Sequence, residues 1–71
     1  MARKHLKTFM FYDEDSYHVD KDINSWLDDK AGQIGKTIAR FEVLDIKLST
    51  SNSKEYEYIV VAMIIYTELR L

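Results

Sequence analysis

Residues 56–71, YEYIVVAMIIYTELRL, decide the fold. The run is rich in β-branched and aromatic side chains, which suit a pleated strand better than a helix. In a strand, Tyr58, Val60, Ala62, Ile64 and Tyr66 point to one side, and Ile59, Val61, Met63, Ile65 and Thr67 to the other. Both sides are apolar, so both need cover. One helix shields only one of them.

Before this ribbon, residues 50–54 (Thr-Ser-Asn-Ser-Lys) form a polar turn, and residues 40–49, RFEVLDIKLS, read as a strand joined to it in a hairpin. The alternation slips inside that strand: Phe41 and Val43 share one parity, whereas Leu44, Ile46 and Leu48 share the other. A β-bulge near Val43 or Leu44 reconciles the two. Residues 5–12, HLKTFMFY, read as the first strand, with Leu6, Thr8, Met10 and Tyr12 on one face and Phe9 and Phe11 on the other. Asp13, Glu14, Asp15 and Ser16 break the pattern and supply oxygens that cap a following helix. That helix is predicted over residues 16–31, with Val19, Ile23, Trp26 and Leu27 on one stripe and Asp20, Lys21, Asp22, Asn24, Ser25 and Asp28 opposite. Gly32 suits the left-handed residue that ends many helices, and a further turn through Ile34 and Ile38 is the alternative. Asp28 and Asp29 run against the partial charge of the helix C-terminus.

The predicted fold is one α+β domain over residues 1–71, in the order β-α-β-β. Placing the most apolar strand in the middle gives a three-stranded sheet of order 1-3-2, with the third strand antiparallel to both others. A right-handed crossover lays the helix on one face. The other face is expected to carry Ile59, Val61, Met63 and Ile65 together with Phe9 and Phe11. That exceeds the apolar patch of a few hundred Å² usual for a soluble monomer, so it is expected to pack against another copy.

Composition points the same way. A chain of 71 residues buries a small core, and the absence of cysteine removes disulfides and thiolate metal cages as supports. Oligomerisation remains. Ten basic against twelve acidic side chains leave a net charge of -2, with no overall field to attract nucleic acid or anionic lipid. The basic start, Met-Ala-Arg-Lys-His, leads into no leader-like apolar core, and residues 59–66 are too few to span a bilayer. A soluble, cytoplasmic protein that binds neither nucleic acid nor membrane is expected.

Several short strings imitate catalytic or metal motifs. GQIGKT, residues 32–37, has a P-loop's residue types, but two residues separate its glycines where the motif needs four, and no strand directly precedes it. DKDINS, residues 20–25, starts like a calcium loop, yet Ser25 stands at the glycine position and Ala31 at the bidentate glutamate position. His5 and His18 have no evident partner for zinc or for a nucleophile. Asp13, Glu14 and Asp15 read as capping acids and Trp26 as a core residue. The sequence predicts no catalytic residues, metal or cofactor.

Five tyrosines among 71 residues are more informative. Tyr56, Tyr58 and Tyr66 share one face of the long ribbon, and an apolar ring with a polar tip suits a semi-buried interface or a ligand pocket. Arg3, Lys4, Lys36, Arg40 and Lys47 sit at strand starts or on strand faces that border such an interface. The candidate ligand set is Lys36, Arg40, Lys47, Tyr58 and Tyr66.

FYDEDS and INSWL, followed by LDIKLST and YIVVAMIIY, resemble a small family of sporulation-associated acidic proteins of spore-forming bacteria and related phage proteins. The resemblance spans residues 6–68 and implies no activity that can be placed on particular residues. The β-α-β-β order is also similar to that of dodecins, assembled flavin binders, as an analogy of topology. Three function classes follow. One is a noncatalytic homo-oligomer that sequesters a small anionic or nucleotide-like ligand in clefts between subunits. Another is an adaptor or inhibitor that binds a host protein through a sheet edge or the acidic segment 13–29. A small hydrolase or transferase ranks last, since no nucleophile, base and orienting group can be assembled.

Overall fold

The computed structural model describes residues 3–71; Met1 and Ala2, which open the basic N-terminal segment, lie outside the described residues. Strand β1 (Arg3–Tyr12), helix α1 (Ser16–Gln33), strand β2 (Ile38–Ser51) and strand β3 (Ile59–Arg70) follow one another in the expected order. The strands form one sheet, β1-β3-β2, with β3 antiparallel to both neighbours. The most apolar strand takes the centre, where both of its backbone edges are paired.

Register decides which side chains share a face, because directly opposed residues of an antiparallel pair project to the same side. Phe9 lies opposite Ala62 and Phe11 opposite Val60. On the other flank Val43 faces Tyr66, Ile46 faces Ile64 and Leu48 faces Ala62. All of these belong to the side that α1 covers. The β2 register slips between Val43 and Asp45, where the change of parity required a bulge, and again between Ile38 and Arg40.

The core is small. Phe11, Val19, Val60 and Ala62 form a buried cluster with Phe9 and Ile23 packed against it, and Ile38 and Ile64 are the largest fully buried side chains. Phe9 and Phe11 therefore lie beneath the helix, not on the open face with Ile59, Val61, Met63 and Ile65. Ala62, wholly buried, lies opposite Phe9 and packs in the same cluster as both phenylalanines.

Asp15 caps α1, its Oδ1 accepting the His18 backbone N–H at 2.9 Å. The helix continues through Gly32 to Gln33 and is closed by extended Ile34, whose N–H donates to the Ala31 carbonyl at 3.3 Å. The left-handed glycine is Gly35, with φ 86°, not Gly32. Lys30 in the last turn offsets Asp28 and Asp29. At the opposite end of the sheet Asp13 adopts φ 53°, a conformation that aspartate tolerates better than most residues. Its backbone N–H donates to the Tyr58 carbonyl at 2.7 Å and its Oδ1 accepts the Tyr58 N–H at 2.8 Å. Tyr56 and Tyr58 thus lie in the connection before β3 rather than within it. With one helix on one side of the sheet, the molecule measures 45 × 21 × 15 Å.

Candidate functional site

Among the described residues no element packs on the face of the sheet opposite α1. Its rows, read across β1, β3 and β2, are Leu6–Ile65–Asp45, Thr8–Met63–Lys47, Met10–Val61–Ser49 and Tyr12–Ile59–Ser51. Two of the three strands are mostly apolar here and the third is polar. Leu6 is 59% exposed and Met10 54%, while Ile59, Val61, Met63 and Ile65 are half-buried by their own neighbours alone. Twelve residues of β3 and the width of three strands make a face of about 40 Å by 14 Å. Once side-chain relief is added, that approaches the roughly 800 Å² each partner contributes to a standard interface.

The five residues proposed as a ligand set do not meet. Arg40 and Lys47 project from the open face, opposite Leu69 and Met63. Lys36 lies in the turn after α1, where its backbone N–H donates to the Gln33 carbonyl at 3.0 Å. Tyr66 is on the helix side, and Tyr58 stands eight positions earlier, about 26 Å away along the chain. Glu42 and Asp45 alternate with Arg40 and Lys47 on the polar strip, so in a single copy that strip has no net charge. A cleft of about 190 Å³ opens between the start of α1 and the far end of β2, lined by Ser16, Val19, Asp20, Leu48, Thr50, Tyr58 and Val60. It carries the Asp20 carboxylate and no cation, which disfavours an anion there, and it is smaller than most ligand pockets.

Tyr66 belongs instead to an aromatic cluster under the second half of α1. Trp26 meets it edge-on with ring centroids 5.1 Å apart, and also contacts Phe9 and Phe41. His5 stacks on its flank at 5.2 Å. Lys30 lies over the Trp26 and Tyr66 rings, 5.7 and 5.6 Å from their centroids, and donates from Nζ to Glu68 Oε1 at 2.6 Å. The pair is largely shielded from water, its side chains 17% and 8% exposed. The hydrogen bond from Lys30 holds the Glu68 carboxyl below its ordinary value, against the opposing effect of burial. This cluster fixes the helix to the sheet, with His5 at its exposed flank.

His18 pairs its Nδ1 with Asp15 Oδ1 at 2.7 Å. The His18 backbone N–H, then its ring, lower the Asp15 pKa. Asp13, Glu14, Asp15 and His18 crowd one exposed corner, yet among the described residues no three His, Asp or Glu side chains are placed to hold a metal ion. Residues 32–37 form the end of α1 and a turn, and residues 20–25 are helical, so neither takes a phosphate- or calcium-loop conformation. No helix among the described residues is long and apolar enough to cross a membrane.

Sequence reasoning missed Leu6, Met10 and Tyr12 as members of the open face. The signal that could have found them is the size of Ala62, which marks the helix side and assigns its β1 neighbours Phe9 and Phe11 to it. No protein-family model matches the chain, and no curated protein or solved structure matches it either.

Proposed function

We propose that this protein acts by association rather than by catalysis: copies of the chain pack through the open face of the sheet, and the assembly presents the surface that binds. The observation that carries this reading is the exposed apolar zone of β1 and β3, bordered by polar β2. The occupant is a second copy, because pairing two such faces with β1 and β3 against β1 and β3 matches apolar area to apolar area. In such an assembly Arg40 and Lys47 stand at the rim of the interface. Any small anionic or nucleotide-like ligand would be held there, between subunits, and not within one copy.

Sedimentation equilibrium and native mass spectrometry test the reading directly. A discrete oligomer at about 10 μM is expected, a concentration at which interfaces of this size are populated; a monomer under those conditions defeats it. Thermal-shift titration with inorganic phosphate and with adenosine monophosphate then tests the rim, and stabilisation that is lost in Arg40→Ala and Lys47→Ala supports ligand capture. A second reading, an adaptor or inhibitor of a host protein, is favoured by the outer side of α1, where Asp20, Asp22, Asp28 and Asp29 are exposed together with Tyr17. Specific capture of one basic partner that Asp22→Lys abolishes would favour it over self-assembly.

A further inference from the structure

β2 is an edge strand, so one row of its backbone N–H and C=O groups faces away from β3 and is open to pairing. Five consecutive residues in it, Leu44-Asp45-Ile46-Lys47-Leu48, complement themselves when read in reverse. Set antiparallel about Ile46, two copies bring Asp45 opposite Lys47 on both sides of the axis, Leu44 opposite Leu48, and Ile46 opposite itself. We infer that β2 is a self-pairing edge, to which a second copy of this chain adds its own β2 antiparallel in this register, joining two three-stranded sheets into one of six strands.

Burial and register support the match independently of the letters. Asp45 and Lys47 lie opposite Ile65 and Met63 and so share the open face, where the two charge pairs would sit side by side. Ile46 and Leu48 lie opposite Ile64 and Ala62 on the helix side, beyond the cover of α1. They are 46% and 63% exposed, and Leu44 at the bulge is 43% exposed. A lysine on an edge ordinarily wards off a neighbouring strand. Here it stands two residues from an aspartate across a central isoleucine, so the reversed copy answers each charge with its opposite. The copy also covers the apolar row that the helix does not reach.

This contact uses the strand edge and leaves the open face free, so it does not depend on face-to-face packing. Its two-fold axis runs perpendicular to the sheet, whereas that of face packing lies parallel to it. Together the two contacts close a four-copy assembly.

The test exploits the lack of cysteine in the chain. In this register the two Ile46 Cα atoms are about 4.5–5.5 Å apart, within the reach of a disulfide, while the two Leu48 Cα atoms are about 14 Å apart. Under mild oxidation Ile46→Cys should form covalent dimers at least ten times faster than Leu48→Cys, and urea should abolish the difference. Charge exchange supplies a second measurement. Asp45→Lys and Lys47→Asp should each weaken edge association at least tenfold while far-UV circular dichroism is unchanged. The doubly exchanged protein should recover it, and so should an equimolar mixture of the two single variants. Equal cross-linking at both positions, or none, overturns the inference. So do single variants that associate as tightly as the parent, or a mixture that gains nothing over its components.

Discussion

Met63 and Ile64 are neighbours in β3 on opposite faces, and placing an aspartate at each separates folding from assembly. Ile64 is fully buried under α1. Ile64→Asp removes about 2–3 kcal/mol of apolar transfer energy and leaves an unpaired carboxylate in the core at a cost of several kcal/mol more. A chain of this length has about 4–10 kcal/mol of stability in total, so the variant should be unfolded. Met63 is half-buried on the open face and stands opposite Lys47. In an isolated copy its aspartate keeps contact with water and gains a neighbouring cation, and the cost should stay below about 1 kcal/mol. In a face-to-face assembly the same carboxylate is buried within the interface. A penalty of about 4 kcal/mol there raises the dissociation constant a thousandfold. Sedimentation velocity across about 1–1000 μM, a range that spans a thousandfold shift, should find Met63→Asp folded by circular dichroism and no larger than the edge-paired dimer. A Met63→Asp protein that unfolds like Ile64→Asp, or one that keeps the parent mass throughout, would refute the assignment of the open face as the interface.

The two glycines should respond in opposite directions. Gly32 is helical and a Cβ there meets open space, so Gly32→Ala should stabilise by about 0.5–1 kcal/mol in urea unfolding. Gly35→Ala should cost about 1 kcal/mol, because φ 86° is unfavourable for an L side chain. Breaking the Lys30–Glu68 pair with Lys30→Met should cost about 1–2 kcal/mol, since Arg70 Nε stays 3.5 Å from Glu68 Oε2, and the Lys30→Met, Glu68→Gln double variant should recover part of it. The pKa of Glu68 is lowered in the folded state, so its contribution is fully present above the ordinary glutamate value of 4.5 and is lost as pH falls through the lowered value. Acid titration of stability in Glu68→Gln should show a shallower decline than the parent over that range. At Asp13, Asn preserves both the left-handed preference and an oxygen for the Tyr58 N–H, whereas Ala loses both. Thermal unfolding should rank Asp13→Asn close to the parent and Asp13→Ala about 2 kcal/mol below it.

The elements most legible in the sequence are those set by periodicity. The two-sided apolar run of β3 placed it at the centre of the sheet, and the slip of parity in residues 40–49 located the bulge between Val43 and Asp45. Faces were harder, because alternation says which residues share a side but not which side the helix takes. Phe9 and Phe11 are as apolar as Leu6 and Met10, and only their packing with Val19 and Ile23 of the helix decides between them. The end of α1 was misplaced because Gly32 was read by residue type, whereas the left-handed position fell three residues later, at Gly35. The ligand set is scattered within a single copy for a related reason. Tyr58 and Tyr66 share a parity, but eight residues of extended chain keep them far apart, and Arg40 and Lys47 point away from both.

Both uncovered surfaces have one geometric cause. An α-helix of 18 residues is about 27 Å long and about 10 Å wide, and it lies on a sheet about 14 Å wide whose longest strand extends about 46 Å. Val19 packs by Val60, Trp26 by Tyr66, and Lys30 reaches Glu68, so α1 follows the central strand from its start nearly to its end. It touches β2 near Phe41 and leaves Ile46 and Leu48 largely exposed, Leu48 across the cleft from Ser16, Val19 and Asp20. β2 itself supplies the internal control for what this exposure means. Where its side chains emerge on the open face they are Arg40, Glu42, Asp45, Lys47, Ser49 and Ser51, a composition suited to water. On the helix side of the same strand, also exposed, stand Ile46 and Leu48 and then Thr50, with Leu44 at the bulge. Two sides of one strand with similar access to solvent carry opposite chemistry, and the difference is accounted for if the apolar side is covered in the working molecule and the polar side remains at a rim. The same reasoning applied across the open face sets the apolar strips of β1 and β3 against the polar strip of β2, and it makes assembly, rather than any pocket of the single chain, the place where this protein's function is to be sought.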